Sequence, residues 1–144
     1  SMAKRFSTNM ISTVTNQGLV RFLVYSGRMN SDQLIIFLEQ LTKSSKRKIF
    51  LILDNLSVHH SKVVKEWLST RVVDIEVFFL PAYSPDLNPD EYLNCDLKQG
   101  MSNTPSPRTQ GALIENVTNH MKMIESNSAR VKKYFKHESI SYAA

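Results

Sequence analysis

Apolar and polar positions along this chain alternate first with a period of two and later with a period close to four. In the run Asn9-Met-Ile-Ser-Thr-Val-Thr-Asn16, Met10, Ser12 and Val14 oppose Ile11, Thr13 and Thr15, and the run closes at Asn16-Gln17-Gly18. Residues 19–25 form a second β-rich run, closed by Ser26-Gly27. Two such runs around a short Asn- and Gly-containing turn predict a β-hairpin. Asn30 then opens a capping box with Gln33, and Leu34, Phe37, Leu38 and Leu41 recur at helical spacing. A basic, serine-bearing connection over 43–48 leads to Ile49-Phe-Leu-Ile-Leu53, an almost wholly apolar stretch expected to be a central strand covered on both faces.

Ser57 or Ser61 can cap the next helix, whose expected buried stripe is Val63, Val64, Trp67 and Leu68. Residues 75–80 predict a further strand, and Pro81-Ala-Tyr-Ser-Pro85 has to leave the sheet because proline cannot donate to its ladder. Helices are expected at 89–100, 108–125 and 128–136, separated by Asn103-Thr-Pro-Ser-Pro107 and by Ser126-Asn127. The order β-β-α-β-α-β-α-α-α, with no internal repeat, reads as α/β with a mixed sheet flanked by helices.

Composition adds bounds. A chain of 144 residues with 42% apolar and 22% charged residues makes one ordinary globular domain, taken here as residues 3–144 because Ser1 reads as a tag remnant before a start methionine. The net charge of +5 suits a polyanion partner but does not by itself demand one. The single cysteine, Cys95, excludes an intrachain disulfide, fits a reducing cytoplasm and is expected to be a buried helix residue. No apolar run approaches the roughly 20 residues that span a membrane, and the N-terminus has no signal-peptide core.

Two acids change the picture. Asp54 follows Leu51-Ile52-Leu53, so it emerges at the carboxyl end of a strand, where open α/β sheets carry their sites. Glu91 opens a helix just after Asn88-Pro89, where a carboxylate also suits the helix dipole. Carboxylates at such positions can share a hard divalent cation, and two such ions suffice for in-line phosphodiester cleavage. Each acid alone is more often structural, one in a strand-end turn and the other at a helix start.

The words around them shift that balance. Asp54-Asn followed by His59, then Leu80-Pro-Ala-Tyr-Ser-Pro-Asp-Leu-Asn-Pro-Asp-Glu91 and Leu97-Lys98, resemble the second-acid and third-acid motifs of bacterial insertion-sequence transposases of the Tc/mariner superfamily. These are DDE endonucleases with an RNase H-like, retroviral-integrase-like fold. The resemblance runs from Asn9 to the Ser141-Tyr-Ala-Ala end. It implies that Asp54 and Glu91 are catalytic metal ligands for Mg²⁺ or Mn²⁺, and that the intact enzyme cuts transposon ends and transfers DNA strands. Asp90 is the nearest competitor of Glu91, but its position in the family's word is variable, and it ranks as a helix-start acid.

The resemblance also offers His59 as a residue that positions substrate or loop, against helix capping as the alternative; His60 reads as a solvated neighbour. Asn88 and Tyr83 are candidates for shaping the loop ahead of Glu91, and Asn88 for positioning substrate. Lys62, Lys65, Lys98 and Arg108 are candidate phosphate contacts, with a solvated surface as the default.

The family uses a third acid on its opening strand. Upstream of Asp54 stand only Asp32, in the first turn of a helix, and Glu39, on that helix's polar side. The expectation is therefore a C-terminal part of a catalytic domain, lacking the first strand and the DNA-end-binding helix-turn-helix, binding metal weakly or not at all and inactive alone. The expected partners are DNA and either a second copy, as a homodimer, or a complementing N-terminal fragment. The alternative is a non-catalytic DNA-binding or self-associating module. A bacterial enzyme of this kind would act in the cytoplasm, on the nucleoid. Where an opening strand is absent, its two neighbours would either pair directly or accept a strand from another copy.

Overall fold

The computed structural model describes residues 6–144, so the expectations about Ser1 and Met2 lie outside the described residues. The chain divides into two compact units, Arg28–Asn88 and the remainder formed by the two ends of the chain.

In the unit built from the chain ends, β1 (Asn9–Val14) and β2 (Val20–Tyr25) form an antiparallel hairpin with Val14 opposite Val20. Both strands are shorter than expected at the turn, because Gly18 N–H bonds the Thr15 carbonyl and closes a tight turn there, with Thr15 N–H still donating to the Leu19 carbonyl. Gly18 has φ +87°, the left-handed region that glycine adopts without steric cost. Three helices follow: α3 (Asp90–Ser102), α4 (Gln110–Glu125) and α5 (Ser128–Tyr134). Thr109 caps α4 by accepting from Ala112 N–H, and Asn127 caps α5 by accepting from Arg130 N–H. A short 3₁₀ turn, Glu138–Ala143, ends the chain. The core joins Val20 of the hairpin to Leu93, Val117, Met121, Ile124, Val131 and Ile140. Leu93 and Leu97 lie one turn apart on the inward side of α3. Cys95 falls between them on the other side and is exposed, contrary to its expected burial.

In the unit Arg28–Asn88, α1 (Ser31–Ser44) starts as expected, with Asn30 Oδ1 accepting from Gln33 N–H at 2.8 Å. β3 (Ile49–Leu53) and β4 (Ile75–Phe79) pair in parallel, with α2 (Lys62–Ser69) as the crossover helix between them. Ser61, rather than Ser57, caps α2 by accepting from Val64 N–H, while Ser57–His60 forms a 3₁₀ turn. The buried face of α2 carries Val64, with Trp67 and Leu68 partly buried; Val63 is half exposed, because i, i+3 and i+4 share a helix face and i−1 does not. Trp67 Nε1 donates to Glu39 at 3.3 Å, so Glu39 is partly buried rather than on a purely solvated side.

β3 is covered on one face only. Leu51 is buried, whereas Phe50 and Ile52 are 64% and 42% exposed. Alternate side chains of a strand point to opposite faces. Leu51 is buried in this unit, as are Leu34, Phe37, Leu38 and Leu41 of α1.

The described strands thus form two separate two-stranded sheets, one antiparallel and one parallel. No helix among the described residues is long and apolar enough to cross a membrane.

Candidate active site

Asp54 is the first residue beyond β3, and its backbone is fixed from two directions. Its carbonyl accepts from Leu56 N–H at 3.0 Å and from the His59 ring at 2.6 Å. Because a carbonyl only accepts, His59 carries its proton on Nδ1. His59 is buried, with 7% exposure, which satisfies its polar edge and locks the turn after the strand. It thus ties the turn after β3 to the Asp54 backbone; neither Ser57–His60 nor α2 takes a side-chain cap from it.

The Asp54 side chain is oriented separately. Leu80 N–H, just past β4, donates to the Leu53 carbonyl at 2.8 Å and seats the Pro81–Pro85 loop beside the strand end. The chain then turns through Pro85–Leu87, and Asn88 Nδ2 donates to Asp54 Oδ1 at 2.9 Å. Asn88 therefore acts on the carboxylate of Asp54, 34 residues away in sequence. His60 stacks on Phe79, with ring centroids 4.0 Å apart, and pairs with the Asn55 side chain. It is a packed wall of this strand end and not the solvated neighbour expected.

Glu91 belongs to the other unit, in the first turn of α3, where it is partly buried. Two contacts hold that turn. Ser12 on β1 donates to Asp90 Oδ1 at 2.7 Å, and Tyr92 stacks on His137 with centroids 3.7 Å apart and planes within 5°. Asp90 thus ties the helix start to the hairpin, a role that suits its reading as a helix-start acid. No cue in the sequence singles out Ser12 or His137.

Of the candidate phosphate contacts, Lys62 and Lys65 lie exposed on α2, with Lys62 at 4.0 Å from Glu66. Lys98 is exposed on α3 and Arg108 is exposed just before α4. Asp54, His59 and Asn88 are thus brought together in one unit, and the four basic residues stay on the surface.

A second acidic centre escaped sequence reasoning. Asp96 on α3 has a side chain 11% exposed and accepts from Arg130 Nε at 2.7 Å, from Tyr134 Oη at 2.5 Å and from His120 Nε2 at 3.3 Å. Burial acts to raise the Asp96 pKa, but the bonds from Arg130 and Tyr134, the Arg130 charge and the His120 bond outweigh it and hold the carboxyl below its ordinary range. Burial, and then the bond to Asp96, push the Tyr134 hydroxyl up. The bond to Asp96 also raises Arg130. These partners sit on α4 and α5, so Asp96 is a pin among three helices with every oxygen engaged by protein donors, not an open ligand. The (i, i+4) pair Arg130 and Tyr134 on one helix face was its only trace in the sequence.

Asp54 and Glu91 offer the hard oxygen donors that Mg²⁺ and Mn²⁺ prefer. Among the described residues no group of three or more His, Cys, Asp or Glu gathers into a metal-binding set. The donor chemistry of either carboxylate fits such an ion.

A parallel strand pair that ends on an oriented carboxylate is an α/β arrangement with an acid at its carboxyl edge. The chain belongs to the DDE superfamily endonucleases, whose family model matches residues 1–114. No curated protein sequence matches it significantly. The fold is similar to the catalytic domain of Mos1 mariner transposase, at TM-score 0.62 and 16% identity over 97% of this chain and 78% of that one. It is likewise similar to chains of the Mos1 strand transfer complex (TM-score 0.63, 17% identity) and of the Mos1 mariner paired end complex with Mn (TM-score 0.60, 17% identity). The match covers 99% of this chain in both cases but only 45% and 46% of those longer chains.

Proposed function

We propose that this chain is part of the catalytic domain of a DDE transposase of the Tc/mariner type, of bacterial insertion-sequence origin, acting on DNA. The observation that carries the reading is the Asn88–Asp54 hydrogen bond, which joins the two sequence words that the family resemblance singles out. In this reading Asp54 and Glu91 hold a divalent cation, Mg²⁺ or Mn²⁺, with a third ligand supplied from outside these residues. When bound, such ions activate the attacking oxygen and stabilise the leaving oxygen of an in-line displacement. Asn88 keeps one carboxylate oxygen of Asp54 engaged, which would leave the other to hold the cation, the usual task of a residue behind a metal ligand. His59 holds the Asp54 carbonyl and keeps the strand end from fraying. Lys62, Lys65, Lys98 and Arg108 supply phosphate contacts that position DNA without reading its sequence.

The deciding experiment is nicking of supercoiled plasmid in Mn²⁺ by this chain, alone and joined to an N-terminal segment carrying an acid-bearing strand. Nicking that appears on joining and is lost in Asp54→Asn and in Glu91→Gln supports the reading. Nicking that survives both substitutions defeats it.

The exposed apolar residues Phe50, Ile52 and Phe78 on one face of β3–β4 favour a second reading, a self-associating module that is a homodimer or complements an N-terminal fragment. Light scattering separates the two. A dimer mass that falls to a monomer mass in Phe50→Glu, without any metal-dependent nicking, supports the second.

A further inference from the structure

We propose that Tyr83 is a stacking platform for an unpaired base of a nucleic-acid strand whose phosphate lies at Asp54. The inference rests on the reading of Asp54 given above and adds a ligand-binding residue to it.

Tyr83 combines two properties that stability alone does not favour. Its side chain is fully exposed. Its backbone, at φ +56°, is the only non-glycine in the left-handed region among the described residues. An aromatic residue there is under steric strain, since its Cβ crowds the following carbonyl, and glycine or asparagine would serve a plain turn better. Burial does not repay the strain, because the ring touches solvent on all sides. Strain held without compensation inside the structure points to a ring held out for a ligand.

The loop that carries it has a fixed address. One end is seated by Leu80 N–H on the Leu53 carbonyl, and the other by Asn88 on the Asp54 carboxylate. Pro81 and Pro85 flank the apex and restrict its backbone. Tyr83 is three residues on from Leu80, so it lies within about 10 Å of the strand end along the chain. That reach is about one to three nucleotides along a strand whose phosphate is at Asp54.

A flat aromatic face takes any base, since every base has a π-face, and it needs the base to be free of its duplex neighbours. The chain's net charge of +5 suits the strand's phosphates. An unpaired base beside the cleavage point is therefore the ligand that this ring fits. A partner protein is the competing occupant, and the test separates the two.

The test uses the full chain and two fluorescent oligonucleotide duplexes, one blunt and one with a short single-stranded overhang, read by anisotropy in low salt. Wild type should prefer the overhang. Tyr83→Ala should weaken overhang binding about 5- to 150-fold, the range for one stacked base, and leave blunt binding unchanged. Tyr83→Phe and Tyr83→Trp, which keep a π-face, should retain the preference. Tyr83→Gly should melt at a higher temperature than wild type while losing the preference, which separates lost stacking from lost folding. Mn²⁺ affinity, read by electron paramagnetic resonance, should be equal in wild type and Tyr83→Ala. Absence of an overhang preference in wild type would overturn the proposal, as would equal losses on both duplexes. So would a change in oligomeric mass with Tyr83→Ala and no change in DNA affinity, which would assign the ring to a protein contact. Normal Mn²⁺ binding beside any of these results leaves the metal-site reading standing; absence of Mn²⁺ binding after an acid-bearing N-terminal strand is joined removes that reading separately.

Discussion

The side-chain amide of Asn88 donates to Oδ1 of Asp54 at 2.9 Å, across a loop that begins and ends at the same strand edge. The bond explains why an Asn-Pro turn word accompanies an acid so far upstream. The turn returns the chain to the carboxylate and leaves Glu91 to open the next helix.

Metal affinity should follow this bond. Asp54→Asn should abolish Mn²⁺ binding, and Asn88→Ala should lower its affinity about 10- to 100-fold, the usual effect of removing a group that orients a ligand. Asp32→Asn, in the first turn of α1, should leave it unchanged. Titration followed by calorimetry checks the series; equal affinity for wild type and Asn88→Ala would reduce the bond to a loop fastening.

Acid stability should depend on Asp96. Its folded pKa lies below the unfolded value of about 3.9. Its contribution is therefore fully present above that value and is lost as pH falls through the lower folded pKa. Asp96→Asn should cost about 2–3 kcal/mol at neutral pH. That is less than the 3–5 kcal/mol usual for breaking a fully buried pair, because the Arg130 side chain is 41% exposed. Urea unfolding at pH 7 and near pH 3 checks this: the gap between the two proteins should narrow at the lower pH.

The two left-handed glycines of the hairpin should respond differently to alanine. A Cβ on Gly18 would stand 2.5 Å from the Ser128 carbonyl oxygen, whereas one on Gly27 would meet nothing within 4 Å. Both substitutions force a Cβ into the left-handed region, at roughly 1–2 kcal/mol each. Gly18→Ala must also push the turn away from α5, and it should cost about 2–4 kcal/mol in all. Equal melting temperatures for the two variants would show that the turn and α5 part easily.

DNA binding should be weak, non-specific and steep in salt, because surface lysines neutralise phosphates without reading bases. Lys62→Ala with Lys65→Ala should lower the affinity for every duplex alike and reduce the slope of log affinity against log salt by about 2. Gel shifts across a salt series check this, and tight binding to one sequence would contradict it.

Local patterns in the sequence determined the element order, the Asn30 cap, a serine cap on α2 at one of two positions, the hairpin with its glycine turn, and the strand-end place of Asp54. Each of these depends on neighbours a few residues away, where period and capping chemistry act directly. Family words determined the pairing of Asp54 with Glu91 as the residues of interest. Tertiary structure alone decided that Ser12 holds Asp90, that His137 stacks on Tyr92, and that Asp96 gathers donors from two other helices. It also decided which side of α3 carries Cys95 outward, that Val63 is exposed, and that only one face of β3 is covered. These outcomes depend on which element packs against which face. An apolar strand reads the same whether one of its faces is covered or both, and a serine on a strand reads the same with or without a distant carboxylate as its partner.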